Sequence, residues 1–246
     1  MSGCLKRSVE DLRRMIAGGA RWIPGVAWLL AWRDPLHLAR RLLARAVLQR
    51  AHHARGCLLD LGCGGKPYRS MFQNVERYIG LDVQRSANVD VVGNGMRLPF
   101  RNGTFNTILC NEVLEHVPEP GDLMAEVTRA LAPGGCLLLT TPQTWGLHHA
   151  PHDFYRYTCF GLKYLAEKHG LQVVEIAPTC GLWATLAQRL VDTIIYQYGA
   201  RWHWRISREV SVLLAPILLT GFILDKCFGP LGDTLDNVLV ARKPGK

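Results

Sequence analysis

No CxxC pair occurs among the eight cysteines, which are scattered from Cys4 to Cys227. A zinc site built on paired thiolates is therefore not expected, and no metal is assigned from the sequence. Several of the cysteines sit inside apolar runs, where a thiol behaves as a small hydrophobe. A secretory pattern is also missing: the first basic cluster is followed by Glu10, Asp11, Arg13 and Arg14 rather than an apolar run. The expected compartment is a reducing cytosol. Val210 to Leu224 is an uncharged apolar run, but its fifteen residues, with Pro216 inside, fall short of the twenty or so needed to span a bilayer. Repeats and low-complexity tracts are lacking. Acids are scarce at the start: residues 1–55 hold eleven lysines and arginines against Glu10, Asp11 and Asp34.

What is present reads as a globular chain. Hydrophobic residues make up 48% and charged residues 20% of 246 residues, enough for one sizeable core with appendages. The net charge of +9 suits an anionic partner, either nucleic acid or a membrane surface. Four stretches differ in character. Residues 1–55 mix Trp with Arg, and Leu38, Leu42, Leu43, Ala46 and Val47 recur at helical spacing, which predicts a basic amphipathic helix suited to a lipid surface. Residues 56–180 alternate apolar runs ("CLLDL", "YIGLDV", "VDVVG", "FNTILCN", "CLLLTTP", "LQVVEIAP") with helical patterns ("PYRSMFQNV", "DLMAEVTRALAPGG", "FGLKYLAEKHGL"). That alternation predicts an α/β fold: a doubly wound, mostly parallel sheet with helices on both faces. Residues 181–232 form an apolar helical insert, and 233–246 read as the last strand, "LDNVLVARKP".

The stretch "LLDLGCGGKPYR" carries the first chemical signal. Gly62, Gly64 and Gly65 follow an apolar strand directly. Glycines there permit a sharp turn and let a ligand approach the backbone. Asp82 closes the next strand in "YIGLDV", the position from which an acid accepts both ribose hydroxyls of a nucleotide. A dinucleotide site would carry a third glycine where Pro67 stands, so a pyrophosphate cofactor is disfavoured.

"LLDLGCGGKPY", "YIGLDV", "GNGMRLPFRNGTFNTILCNEVLEHV" and "LAPGGCLLLTTP", in that order, resemble the class I S-adenosylmethionine-dependent methyltransferases, in the branch with LPF and LEHV motifs (the type 11-like branch). The resemblance covers about half the chain, from Cys57 to Ile176. It implies a seven-stranded Rossmann-like sheet and S-adenosylmethionine as cofactor, with S-adenosylhomocysteine as product. By the same resemblance, Asp60 and the Gly62–Gly64 backbone face the amino-acid end of the cofactor. Asp82, with Val83 beside it, holds the ribose. Asn94, Gly95 and Met96 meet the adenine edge, Cys110 and Asn111 line the methionine part, and Glu115 and His116 lie on the following helix. Two residues depart from the pattern, Asn94 and Asn106, each where relatives usually carry Asp.

An oxygen acceptor needs its proton removed by a positioned base. Candidates cluster after the fifth strand in "WGLHHAPHDFYRYT", where crevice residues of such sheets lie. His152 is expected as the base with Asp153 as its orienting partner, and His116 as a pocket organiser. His148, His149, Tyr155 and Arg156 are the expected substrate contacts. The insert reads as a lid, a membrane-docking hairpin or a dimer interface, and "RWHWR" (Arg201–Arg205) has the aromatic–cationic mix of interfacial segments. The expectation is a cytoplasmic enzyme, peripheral to the membrane, that methylates an oxygen of an apolar or lipid- or glycan-linked small acceptor. Its alternatives are a tRNA or rRNA methyltransferase and a cofactor-binding module without catalysis.

Overall fold

The computed structural model describes residues 34–198, 208–229 and 232–245. Most of the basic N-terminal segment and all of Arg201–Arg205 lie outside the described residues. Seven strands form one sheet: β1 (Gly56–Leu61), β2 (Val75–Asp82), β3 (Val91–Val92), β4 (Phe105–Asn111), β5 (Leu131–Pro142), β6 (Gln172–Pro178) and β7 (Asp236–Arg242). Their order is β3-β2-β1-β4-β5-β7-β6. The first five pair in parallel, and β7 runs antiparallel to both β5 and β6. This is the mostly parallel Rossmann-like sheet that the alternating pattern predicts.

Residue parity sorts the strands' side chains. Leu59, Ile108 and Leu137 face one way and pack against α2 (Pro120–Ala130) and α3 (Cys159–Lys168) through Leu123, Met124, Val127 and Leu162. Leu58, Leu109 and Leu138 face the other way, with Val47, Ala54 and Phe72. Cover on both faces is why these strands read as unbroken apolar runs.

Helix α1 (His37–Arg50) starts where the Asp34 carboxylate accepts from the Leu36 N–H (3.0 Å). Its last turns correct the lipid-surface expectation for that part of the segment. Val47 lies in the core over the sheet, and Arg50 is buried, donating to the Ala46 carbonyl (3.0 Å) and to Glu175. A face already packed on strands cannot also enter acyl chains.

Two further expectations are corrected. "PYRSMFQNV" is not a helix but a single 3-10 turn, Arg69–Met71. Lys66 takes φ 55° just before Pro67, and buried Phe72 pulls the chain straight into the core. The LEHV stretch is likewise one 3-10 turn, Leu114–His116.

The described residues divide into two compact units, 34–43 with Cys180–Thr234, and Ala44–Thr179 with the chain from Leu235 on. The first unit is helical. α4 (Leu182–Asp192) continues into a π-helical stretch, Thr193–Tyr198, and α5 (Arg208–Phe228) contains Pro216. Asp225 on α5 accepts from the N–H groups of Gly181 (2.7 Å) and Trp183 (3.0 Å), capping α4. Gly221 lets the two helices touch, since a Cβ there would lie 2.6 Å from that of Ala187. Among the described residues no helix is long and apolar enough to cross a membrane.

Candidate active site

Parallel pairing brings the carboxyl ends of β1 to β5 to one sheet edge, and the functional side chains gather there. The turn after β1 is pinned by N–H groups of Gly62 and Cys63 donating to the Leu81 carbonyl (2.8 and 3.0 Å). Gly62 has φ +72°, and a Cβ on it would strike Val113 at 2.3 Å. Gly64 differs: its φ is +47°, and the space a Cβ would take is empty within 4 Å. Its N–H donates to Asp82 Oδ2 (2.9 Å), and Gln84 N–H donates to Oδ1 (3.0 Å). The Asp82 carboxylate is thus fixed beside bare backbone, with lone pairs left over.

Lys66 is not a ligand claw. It is buried and its Nζ donates to Asp90 (2.5 Å), which also accepts from Gly80 N–H (2.7 Å). Asp60 is buried at the end of β1 and accepts from the Tyr78 hydroxyl (2.6 Å). Burial pushes its carboxyl up to about 7. Asn94 is exposed; its Oδ1 accepts from Met96 N–H (3.0 Å), holding the turn that carries Gly95. The preceding LPF segment is latched by Arg129, which donates to the carbonyls of Leu98 (3.1 Å) and Phe100 (2.8 Å) and to Glu126. Val83 is exposed at the β2 end. Asn106 is structural: its Oδ1 accepts from Cys57 N–H (3.0 Å).

Cys110 is corrected. Its side chain is fully buried among core leucines and has no face on the crevice. Asn111 sits at the strand tip, but its amide accepts from Thr140 Oγ1–H (2.9 Å) and donates to the Tyr68 hydroxyl (3.4 Å).

Beyond β4 the chain makes an acid-rich turn. Glu112 takes φ 53°, unusual for a side-chain-bearing residue, and its Oε1 is buried without a partner. Its carboxyl hydrogen-bonds Asp236, so one of the two holds a proton. Asp236 is buried and accepts from the Trp145 indole N–H. Burial, with Glu112 nearby, raises the Asp236 carboxyl well above its ordinary range. Glu115 has a wholly buried side chain. Its Oε2 accepts weakly from Thr141 (3.4 Å), while Oε1 has no hydrogen-bond partner. Burial first, then Glu112, pushes its carboxyl up to about 9.

The loop after β5 closes over this turn through the Phe154 N–H, which donates to the Glu115 carbonyl (2.9 Å). It brings His148 and His149 to His116, with ring centroids 4.9 and 5.3 Å from it. His116 Nδ1–H donates to the His152 carbonyl (2.6 Å). Burial holds the His116 imidazole below its usual range. The expected His152–Asp153 pair does not form. The His152 ring is exposed beside Phe154, and Asp153 accepts from both terminal nitrogens of Arg156 (2.7 and 2.8 Å) and from His148 N–H (2.9 Å). Arg156 also donates to the carbonyls of Trp145 (3.1 Å) and Gly146 (2.8 Å), which makes it the loop's fastener rather than a free substrate contact. Its proximity holds the Asp153 carboxyl down to about 2. Tyr155 Oη–H donates to the Pro118 carbonyl (2.9 Å).

Sequence reasoning missed Glu112, Tyr78, Trp145 and Asp236. The first lies inside "NEVLEH" and the last opens "DNVLV", a polar pair at the start of an otherwise apolar strand.

The chain matches the methyltransferase domain family over residues 32–176. It is similar to the ubiquinone biosynthesis O-methyltransferase of Pseudomonas aeruginosa (strain UCBPP-PA14), 29% identical over 202 residues that cover 72% of this chain and 84% of that one. Among solved structures it resembles a chain of the complex between the Haloferax volcanii Trm112 methyltransferase activator and a putative methyltransferase (TM-score 0.56, 19% identity, 89% of this chain and 96% of that one). It also resembles the Burkholderia thailandensis 1,6-didemethyltoxoflavin-N1-methyltransferase with bound 1,6-didemethyltoxoflavin and S-adenosylhomocysteine (TM-score 0.52, 16% identity, 82% and 76%). These two likenesses speak for the fold. The open cradle at Gly64, the fixed Asp82 carboxylate and the buried acid at Asp60 fit a cofactor with a ribose and an amino-acid end. With the family spanning well over half of its length, the chain belongs to the class I S-adenosylmethionine-dependent methyltransferases.

Proposed function

We propose that the enzyme methylates an oxygen of an apolar or lipid- or glycan-linked small acceptor. S-adenosylmethionine supplies the activated methyl group. The chain's own residues would hold it at Asp60, Gly64, Asp82 and the Asn94–Met96 turn, and keep the acceptor aligned and shielded from water. The observation that carries the oxygen reading is the unpartnered Glu115 Oε1 beside His116 Nε2, 3.5 Å away. An oxygen acceptor needs a proton acceptor at the crevice; Glu115 keeps its own proton at neutral pH, and the His116 imidazole beside it, kept neutral by burial, offers the lone pair. His116 and Glu115 therefore replace His152 as the favoured proton-handling groups. Exposed Leu147 and Phe154 on the same loop suit an apolar acceptor. The relatives named as O-methyltransferases support the same class.

The test is transfer of labelled methyl from S-adenosylmethionine to a membrane lipid extract and, separately, to total RNA. Label in an extractable lipid ether or ester is the expected result. Label in RNA alone would sink the reading.

The location at the cytoplasmic face of a membrane belongs to this proposal too. It rests on the basic residues of 1–33 and on apolar side chains exposed on α4 and α5, among them Leu186, Leu190, Leu213 and Ile223.

A further inference from the structure

The turn after β4 and the loop after β5 bring three ligating atoms face to face. Glu115 Oε1 lies 3.5 Å from His116 Nε2 and 4.0 Å from His148 Nε2, and one ligand atom from each residue falls within 4.8 Å of the other two. Both imidazoles are held by their other nitrogen. His116 Nδ1 faces the His152 carbonyl (2.6 Å), and His148 Nδ1 faces the Gly146 carbonyl (3.0 Å) with the Asp153 carboxylate at 3.5 Å. A carbonyl accepts only from N–H, which puts the proton of His116 on Nδ1. At His148 the nearer Gly146 carbonyl and the Asp153 carboxylate outweigh the Arg156 Nη2 donor at 3.3 Å, so there too Nδ1 carries the proton and Nε2 keeps its lone pair. Three lone-pair atoms therefore converge on one point, and Glu115 Oε1 is buried there with no partner. Such a cluster needs a positive centre. A proton shared between Glu115 and one imidazole leaves the other Nε2 without a donor, whereas a cation serves all three.

We propose that Glu115, His116 and His148 bind one first-row divalent transition cation through Glu115 Oε1 and the two Nε2 atoms. The sequence reading assigned no metal, because its search for paired thiolates does not register a carboxylate and two histidines split between two loops. Metal bonds of about 2.0–2.2 Å set ligand atoms roughly 3.0–3.6 Å apart. The cluster reaches this by closing an ångström or so, and half-buried His148 is the side chain with room to move. Two imidazoles and one carboxylate favour zinc, cobalt, iron or manganese over magnesium and calcium, which prefer all-oxygen sites. The carbonyl and carboxylate behind the rings are the outer partners that usually orient ligating histidines. Three protein ligands leave positions open for an acceptor oxygen. This last point rests on the oxygen-acceptor reading: a cation held by the lone pairs of Glu115 and His116 would take over from that pair the task of making the acceptor hydroxyl acidic, with the proton released to water.

The test uses the full chain, stripped with a chelator. Zinc affinity is measured by competition with a chromophoric chelator, manganese by electron paramagnetic resonance, and magnesium as a control. One equivalent of zinc is expected, with manganese weaker and magnesium weaker still. Glu115→Gln and His148→Ala should each weaken zinc by about tenfold or more while S-adenosylmethionine affinity stays within about threefold. Asp82→Asn should do the reverse. His148→Gln, at a half-buried position, guards against a folding defect in the Glu115 variant. Zinc that fails to bind, or binds equally to wild type and both His148 variants, overturns the site. Zinc binding as expected, with label found on nitrogen or carbon instead of oxygen, overturns the oxygen reading and leaves the site standing.

Discussion

Asp60 is a buried acid whose carboxyl sits near 7 in the fold and near 4 in an unfolded chain. Between those values the folded chain keeps a proton that the unfolded chain has released. Stability therefore falls as pH rises through that window, by an upper bound on the order of 4 kcal/mol. Asp60→Asn removes the dependence while its carbonyl still accepts from Tyr78. The variant should unfold at a higher temperature than wild type at pH 8, and the gap should shrink towards pH 4.5. Calorimetry at both pH values checks this; a gap independent of pH would contradict it. Asp82 is tested by binding. Asp82→Ala removes a charge-assisted acceptor for ribose hydroxyls and loosens Gly64, so S-adenosylmethionine should bind about a hundredfold more weakly by titration calorimetry. Gly80 is a packing case: a Cβ there would lie 2.3 Å from Lys66 Cε and 2.7 Å from Cys63 Sγ. Gly80→Ala should cost about 1–3 kcal/mol of stability, read from denaturant midpoints.

At the scale of elements, two arginines hold the loops that form the crevice. Arg129 ties the LPF segment to α2 through backbone carbonyls, and Arg156 ties the loop after β5 to itself through Asp153. Removing Arg129 leaves the Leu98 and Phe100 carbonyls without this donor. Arg129→Ala should lower stability by about 2 kcal/mol and increase amide exchange across residues 97–102. Unchanged exchange there would show that Leu98 burial alone holds the segment. How far the sequence could be read also differs by element. All seven strands and helices α2 and α3 were legible because their apolar patterning is local. The expected helix at 67–75 was not, since Pro67 and the left-handed Lys66 override a helical apolar spacing. The acid–histidine cluster was legible only in pieces. Its members come from β4, the loop after β5 and the start of β7, and only strand pairing brings Asp236 to Trp145 and Glu112. His152 drew attention as one of a cluster, yet its backbone carbonyl, not its ring, takes part.

At the scale of the whole molecule, charge and apolar surface set the expected partner. Flotation of the full chain with anionic vesicles should succeed at low salt and weaken as ionic strength rises, because screening shortens the reach of the basic N-terminal residues. A chain that stays in solution with anionic vesicles and binds RNA would reverse that choice of partner.

The antiparallel placement of β7 has a consequence for how such an enzyme can change. Because β6 and β7 are neighbours, the long segment between them leaves and rejoins the sheet at one doorway: Pro178 stands opposite Asn237, and the Thr179 N–H donates to the Asp236 carbonyl (2.9 Å). Among the described residues, what hangs from that doorway adds no strand to the sheet. Loop-closure entropy grows only slowly with length, so the segment behaves as a cassette. Exchanging it for another of different length would leave the methyl-donor half of the chemistry intact, which gives the fold a route to new acceptors that does not pass through its core.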